Sequence, residues 1–455
     1  MAAPGTDNPE LAAMKPRFVA GSTMRHVMVM TFTGAVGLMA MFLVDLADLW
    51  FLSLLGDPAI TAAIGFAGTL VFINISFAIG AGIAAAALVA RHVGSRDNAA
   101  ARRYATNSLV FSICLATLVA AAMGLSATPL LRLLGAEGEA LRLARLYIWT
   151  VLPGFPLIAG AVACSFSLRA VADPRRAMYV TLVTAVVNGI LDPIFIFGFQ
   201  LSIQGAALAT VFAEAAALAV GLHGIAKVHR FLAPFRLADF RRDLKPILDI
   251  AVAAILTQLA TPLSMAYLTR IMAAFGDEAV TATAIINRIT PVAFGIVFSL
   301  SGAVGPIIGQ NYGARHFDRV RRALLDAVIF AGLYTVATSL VLLALRNHIP
   351  ALFNAPPETA VLVAFYCTWL AASWCFTGAQ FVAQAAFNNL GKPHWSTAFN
   401  WGRATVGTIP FVHAGAAFGG ATGVLIGSAG GSVLFGLAAV AAAFHLVARI
   451  ARTKN

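Results

Sequence analysis

The chain has 455 residues, of which 60% are hydrophobic and only 11% charged, with a formal net charge of +12. A water-soluble chain of this length carries about a quarter charged residues, so the composition excludes an ordinary soluble domain. The basic excess would suit nucleic acid only if it gathered into one patch, and it does not.

Residues 1–25 read as a polar cytoplasmic segment with no cleavable leader. Apolar blocks follow, each long enough for the roughly 20 residues that a bilayer-crossing helix needs. They lie at 26–50, 59–90, 105–127, 146–169, 177–198 and 204–226, making an N-lobe over 26–226. A cytoplasmic linker at 227–245 leads to 246–270, 279–309, 323–345, 359–388, 395–413 and 420–447, a C-lobe over 246–448, and a tail at 449–455. The pattern predicts an all-α polytopic membrane protein of twelve transmembrane helices.

With both termini inside, 24 of the 31 Lys and Arg residues fall on the cytoplasmic side. Arg132, Arg142, Arg145, Arg270 and Arg346 fall opposite, and Arg288 and Arg403 lie within spans. That bias is what the positive-inside rule expects of an even number of spans, so the charge orients the chain and no nucleic-acid partner is expected. The four cysteines, Cys114, Cys164, Cys367 and Cys375, sit within spans and form no C-x-x-C pair, so neither a disulfide framework nor a zinc site is indicated.

The halves repeat. "GDPAITA" at 56–62 returns as "GDEAVTA" at 276–282, "ARHVGSRDNAAARR" at 90–103 answers "GQNYGARHFDRVRR" at 309–322, and "VADPRRA" at 171–177 answers "NLGKPHW" at 389–395. The offset stays between 218 and 220. Two parallel six-helix repeats related by an axis along the membrane normal are a transporter architecture, with the cargo path in a V-shaped cavity between them.

The repeat fails at the deep acids, all of which belong to the first half. Asp45 and Asp48 lie in "FLVDLADLWFLSLLGD", at 42–57, where a buried carboxylate costs roughly 2.5–3.5 kcal/mol even on mild insertion scales. Asn188 and Asp192, in "VVNGILDPIF", are spaced i,i+4 and share a helix face, as do Thr210 and Glu214 in "GAALATVFAE". Pro193 has no N–H, which leaves the Gly189 carbonyl without its helical partner. Carboxylates, an amide, a hydroxyl and a carbonyl together are hard oxygen ligands suited to a small cation, or to a proton shared between acids.

These stretches resemble the multidrug and toxic compound extrusion (MATE) transporters. The similarity runs from "DLWFLSLLGDPAITAAIG" through "ALVARHVGSRD", "RAVADPRRAMYVTLVTAVVNGILDPIFIFGF" and "GAALATVFAE" to "FGDEAVTATAIINRI" and "GPIIGQNYGAR", essentially the whole chain. The DinF-like branch, which keeps its acids in the N-terminal half, is the most similar. Carried over position by position, its first-helix aspartate falls on Asp48, its fifth-helix asparagine and aspartate on Asn188 and Asp192, and its sixth-helix threonine on Thr210. Asp45 and Glu214 are further candidates. One departure is Thr33, which stands where members of the family have a first-helix proline.

The resemblance implies a monomeric, multi-pass protein of the bacterial inner membrane that exports drug-like, amphipathic, cationic organic compounds by alternating access. Exchange would be against H⁺ or Na⁺ held at Asp48, Asn188, Asp192 and Thr210, with no other cofactor and no enzymatic activity. A lipid-linked precursor flippase of the same superfamily is the alternative, and it would line its cavity with arginines, for which only Arg288 and Arg403 are available. An intramembrane enzyme using Asp45 and Asp48 as a D-x-x-D metal motif lacks a second acidic motif at that depth. No G-x-x-x-x-G-K-[ST] pattern occurs to suggest ATP drive.

Overall fold

Short loops carrying a capping residue, and often a proline, set where the helices begin. Asp57 accepts a hydrogen bond from the Ala59 amide at 2.8 Å, and Pro58 opens the next helix. Asp173 accepts from the Arg176 amide ahead of Pro174 in the same way. Each pair satisfies an orphan amide and presets the first turn.

The computed structural model describes residues 15–454, so residues 1–14 of the expected cytoplasmic segment lie outside the described residues. In chain order the helices are α1 Thr23–Ser53, α2 Pro58–Gly94, α3 Asn98–Leu133, α4 Gly138–Val151, α5 Gly154–Ala170, α6 Pro174–Pro193, α7 Ser202–Leu222 and α8 Leu237–Met272. Then come α9 Asp277–Gly313, α10 Phe317–Leu345, α11 His348–Leu352, α12 Pro357–Phe365, α13 Trp374–Asn389, α14 Pro393–Ala404 and α15 Ile409–Lys454. Wider π turns extend α6 over Ile194–Gly198 and α7 over His223–Val228, and another joins α12 towards α13 over Tyr366–Leu370.

These make twelve spans. The fourth begins earlier than its apolar run suggests and is bent by 53° between α4 and α5, at Leu152–Pro153. The last two spans share α15, which reverses at Gly419–Gly420, where Gly420 has φ +55° and only glycine is comfortable. By contrast α1 runs unbroken through Thr33, whose hydroxyl donates to the Val29 carbonyl at 2.7 Å. All four cysteines are free thiols.

The first helix of each lobe crosses to the other at the end bearing the arginine-rich loops. Val27 and Met30 of α1 pack into the C-lobe core with Leu300, Val304 and Phe387, while Ile247 and Ile250 of α8 pack into the N-lobe core with Ala101 and Leu168. The same end is bolted by polar contacts. Arg91 donates to the carbonyls of Asn389 at 2.7 Å and Asn388 at 2.5 Å, and Gln310 Nε2 donates to the Ala170 carbonyl at 2.8 Å.

From this end α2 and α9 diverge. Ala84, Ala87 and Ala90 of α2 and Ala303, Ile307 and Gln310 of α9 are buried, yet towards the opposite end Thr61, Gly65, Thr69 and Phe72 on α2 and Thr281, Ala284, Arg288 and Val292 on α9 are exposed. At 100° per residue those exposed positions continue the stripes that touch lower down. The lobes therefore form a V, closed at the basic end and open at the other.

The linker between lobes is held by the α5–α6 turn. Asp173 accepts from Arg176 at 2.6 Å and is 2.8 Å from His229 Nε2. Burial works to raise the Asp173 carboxyl, but these hydrogen bonds outweigh it and hold the group well below the usual carboxylate range. A lowered carboxylate stabilises above its unfolded pKa, near 4, and loses that stabilisation as pH falls towards its folded value. Asp173→Asn is expected to destabilise by about 1–2 kcal/mol at neutral pH. In acid unfolding, the difference from wild type should shrink below about pH 4.

Candidate cation site

The fifth span carries the acids to the widened end of a helix. α6 ends at Pro193, and the π turn that follows swings the chain back towards α7. Such widened turns occur where a helix must re-aim its side chains. Asp192, on the last turn of α6, is fully buried, and Asn188 is 6% exposed. Asn188 Nδ2 donates to Asp192 Oδ1 at 3.2 Å, as the i,i+4 spacing predicts.

α1 crosses α6 where Val44 packs over Gly189, which brings Asp48 to the level of Asp192. The two carboxyl groups come within hydrogen-bonding reach of one another. Asp48 Oδ1 and Asp192 Oδ2 are both buried and receive no donor from the protein. No lysine, arginine or histidine forms an ion pair with either carboxylate among the described residues. Two neighbouring carboxylates repel when both are ionised, and a proton or a cation shared between them relieves that repulsion.

Thr210 stands on α7 beside this pair, its hydroxyl donating to the Ala206 carbonyl at 3.1 Å so that its lone pairs remain available. The fifth member is Tyr147 of α4, which interacts with Thr210 and lies close to the charges of Asp48, Asp192 and Asp45. Sequence reading missed Tyr147 because the fourth apolar block starts at 146 and leaves it at the rim. The usable signal was a phenol in an apolar helix, since a buried Tyr hydroxyl normally finds a polar partner.

The remaining candidates separate. Asp45 is exposed, and its charge reaches Asp48. It lies roughly 140–160° around α1 from the outward-facing Leu43 and Trp50, so it opens on the interior. Glu214 is buried one turn beyond Thr210 on the same face of α7, and no salt bridge reaches it among the described residues. Arg403 turns into the C-lobe, where its guanidinium donates to Asn400 Oδ1 at 3.4 Å. Arg288 is exposed on the open stripe of α9. Among the described residues no group of three or more His, Cys, Asp or Glu is placed to hold a metal, so the pocket offers two carboxylates plus neutral oxygens.

The MatE family pattern matches residues 35–194 and again 253–413, most of the chain, with starts 218 residues apart (253 minus 35). That interval agrees with the internal repeat. A FAD transporter of Shewanella oneidensis is 29% identical over 432 residues, covering 94% of both chains. The multidrug export protein MepA of Staphylococcus aureus is 24% identical over 80% of both. The Vibrio cholerae MATE transporter VcmN, in its bent form, superposes with a TM-score of 0.89 at 26% identity, covering 95% of this chain and 98% of VcmN. An outward-facing multidrug resistance transporter of the MATE family, 23% identical, has the same fold with a TM-score of 0.90 over 96% and 98% of the two chains. A twelve-span, two-lobed membrane protein whose family pattern matches in both halves, this chain belongs to the MATE family of transporters.

Proposed function

We propose that this protein is a cation-coupled antiporter that exports amphipathic organic compounds, cationic drugs among them, across the plasma membrane. The observation that carries the reading is the proximity of Asp48 and Asp192, each with a buried oxygen that receives no donor. Both termini and the closed end of the V are cytoplasmic, because the arginine-rich loops gather there. H⁺ or Na⁺ enters from the open mouth and settles between Asp48 and Asp192, with Asn188, Thr210 and Tyr147 around it. Its arrival favours release of cargo to the outside, and alternation of the V then exposes the ion to the cytoplasm. One net charge moving inward down 100 mV supplies about 2.3 kcal/mol, enough to concentrate an uncharged cargo tens-fold, whereas a monovalent cation exchanged one for one draws only on the ion's concentration gradient.

The similarity to the FAD transporter favours a second reading of the cargo, as an acidic dinucleotide, with the same ion site. An arginine-lined flippase cavity is less well supported, since only Arg288 of the two span arginines faces the cleft.

Proteoliposomes loaded with ethidium in one set and FAD in another, under an imposed sodium or proton gradient, test the proposal. Flux of one cargo should rise at least tenfold under one of the gradients. If neither cargo responds to either gradient, coupled export is not what this protein does.

A further inference from the structure

Arg288 and Asp45 are opposite charges on opposite lobes, and neither has an ion-pair partner among the described residues. Their positions around their helices relate them. On α9, Arg288 lies within a strip roughly 80° wide that also holds Gly295, Ser299, Gly302 and Gly309. Every one of these lower residues touches the N-lobe: Met39 lies over Gly295, Ser299 Oγ donates to the Thr31 carbonyl at 2.8 Å, Arg169 reaches Gly302, and Ala90 abuts Gly309. Arg288 is the continuation of that strip into the open mouth.

Asp45 continues the matching strip on α1, in line with Thr31, Gly34 and Phe42, three residues that meet Ser299 or Gly295. Counting outward from the Phe42–Gly295 contact at about 1.5 Å per residue, Asp45 is about 5 Å further out and Arg288 about 10 Å. An extended arginine side chain spans that difference.

The helix that carries Arg288 has a hinge. Pro291 denies the Asn287 carbonyl its helical partner, and α9 breaks at Phe294, with φ −109° and ψ 18°. Phe294 stacks on Trp374 at 5.0 Å and Tyr334 donates to the Ala293 carbonyl at 2.7 Å, which holds the bend within the C-lobe, while the outer arm packs Ala282, Ile285 and Ile286 into the C-lobe core and leaves Arg288 exposed at the mouth.

We propose that Asp45 and Arg288 close on each other as an interlobe ion pair when the mouth shuts, and that this pair competes with the coupling cation for Asp45. Asp45 lies within reach of the charge of Asp48, so a cation held between Asp48 and Asp192 and a guanidinium brought in from the C-lobe are alternative ways to offset its charge. By linkage, an ion held beside Asp45 keeps the mouth open, and closure helps to expel the ion. The competition rests on the antiport reading above, whereas the pairing itself rests on the geometry alone.

The test is a double-mutant cycle on closure, read without transport. In a chain with its four cysteines replaced by alanine, Thr61→Cys on α2 and Thr281→Cys on α9 face each other across the mouth, and their cross-linking rate by a short bismaleimide reports closing. Asp45→Asn and Arg288→Gln should each slow the reaction at least fivefold, the double variant should be no slower than either, and Arg288→Lys should stay within twofold of the parent. The parent should also slow as the coupling ion is raised, and Arg288→Gln should not. Single variants without effect, or effects that multiply in the double variant, would overturn the ion pair even if export is ion-driven. A cycle that holds in a protein that shows no ion-driven flux would leave the pair standing and remove the antiport reading and the competition with it.

Discussion

Asp192→Asn is expected to abolish ion-driven export and yet leave the protein folded and no less stable. The amide keeps the shape of the carboxyl and its contact with Asn188, but removes the charge that holds the ion. A charge-assisted hydrogen bond contributes about 1.5–3 kcal/mol, so ion affinity should fall about 10- to 150-fold. Stability moves the other way. Asp192 is fully buried with no cationic partner among the described residues, and removing an uncompensated buried charge relieves its desolvation cost. A thermal scan in detergent without the coupling ion should show an unchanged or higher midpoint, beside flux that no longer responds to the gradient. A purely structural Asp192 would lower both together.

Gly94→Leu should produce the largest loss of stability. α2 and α9 touch backbone to backbone at the closed end, where a Cβ on Gly94 would strike the Gln310 carbonyl and one on Gly313 the Arg91 carbonyl. Overpacking usually costs about 1–3 kcal/mol, and more where no side chain can yield. This contact is between main chains, so the expected cost is about 3 kcal/mol or above. The Arg91 bonds to Asn388 and Asn389 depend on the same crossing and should weaken with it. Gly68→Leu is the control: it lies on the same helix but opens on the cleft, with nothing within 4 Å of its Cβ position, and its thermal midpoint should not move.

The architecture was legible because lipid imposes few solutions. A backbone that must satisfy its own hydrogen bonds over 30 Å makes each span a run of apolar residues that can be counted. The internal repeat then paired the halves before any coordinates. Asn188, Asp192, Thr210 and Asp48 were legible for a related reason: in an apolar span a polar residue stands out, and i,i+4 spacing assigns its face.

What stayed hidden depends on contacts between distant helices. Tyr147 joins the site only because α4 begins at Gly138 and bends at Pro153, which carries its phenol to Thr210. The helix period alone gives neither Asp45 nor Arg288 a partner on the other lobe. Their relation appears only once α1 and α9 are known to cross at Thr31–Ser299 and Met39–Gly295.

Coupled export requires ion and cargo to exchange at the Asp48–Asp192 pair. Adding cargo to the purified protein in weakly buffered detergent, and recording both protons released and radioactive sodium displaced, addresses that exchange directly. One of the two ions should leave as cargo binds, and the signal should vanish in the Asp48→Asn, Asp192→Asn double variant. Cargo that binds tightly while displacing neither ion, or displacement that persists in the double variant, would contradict it.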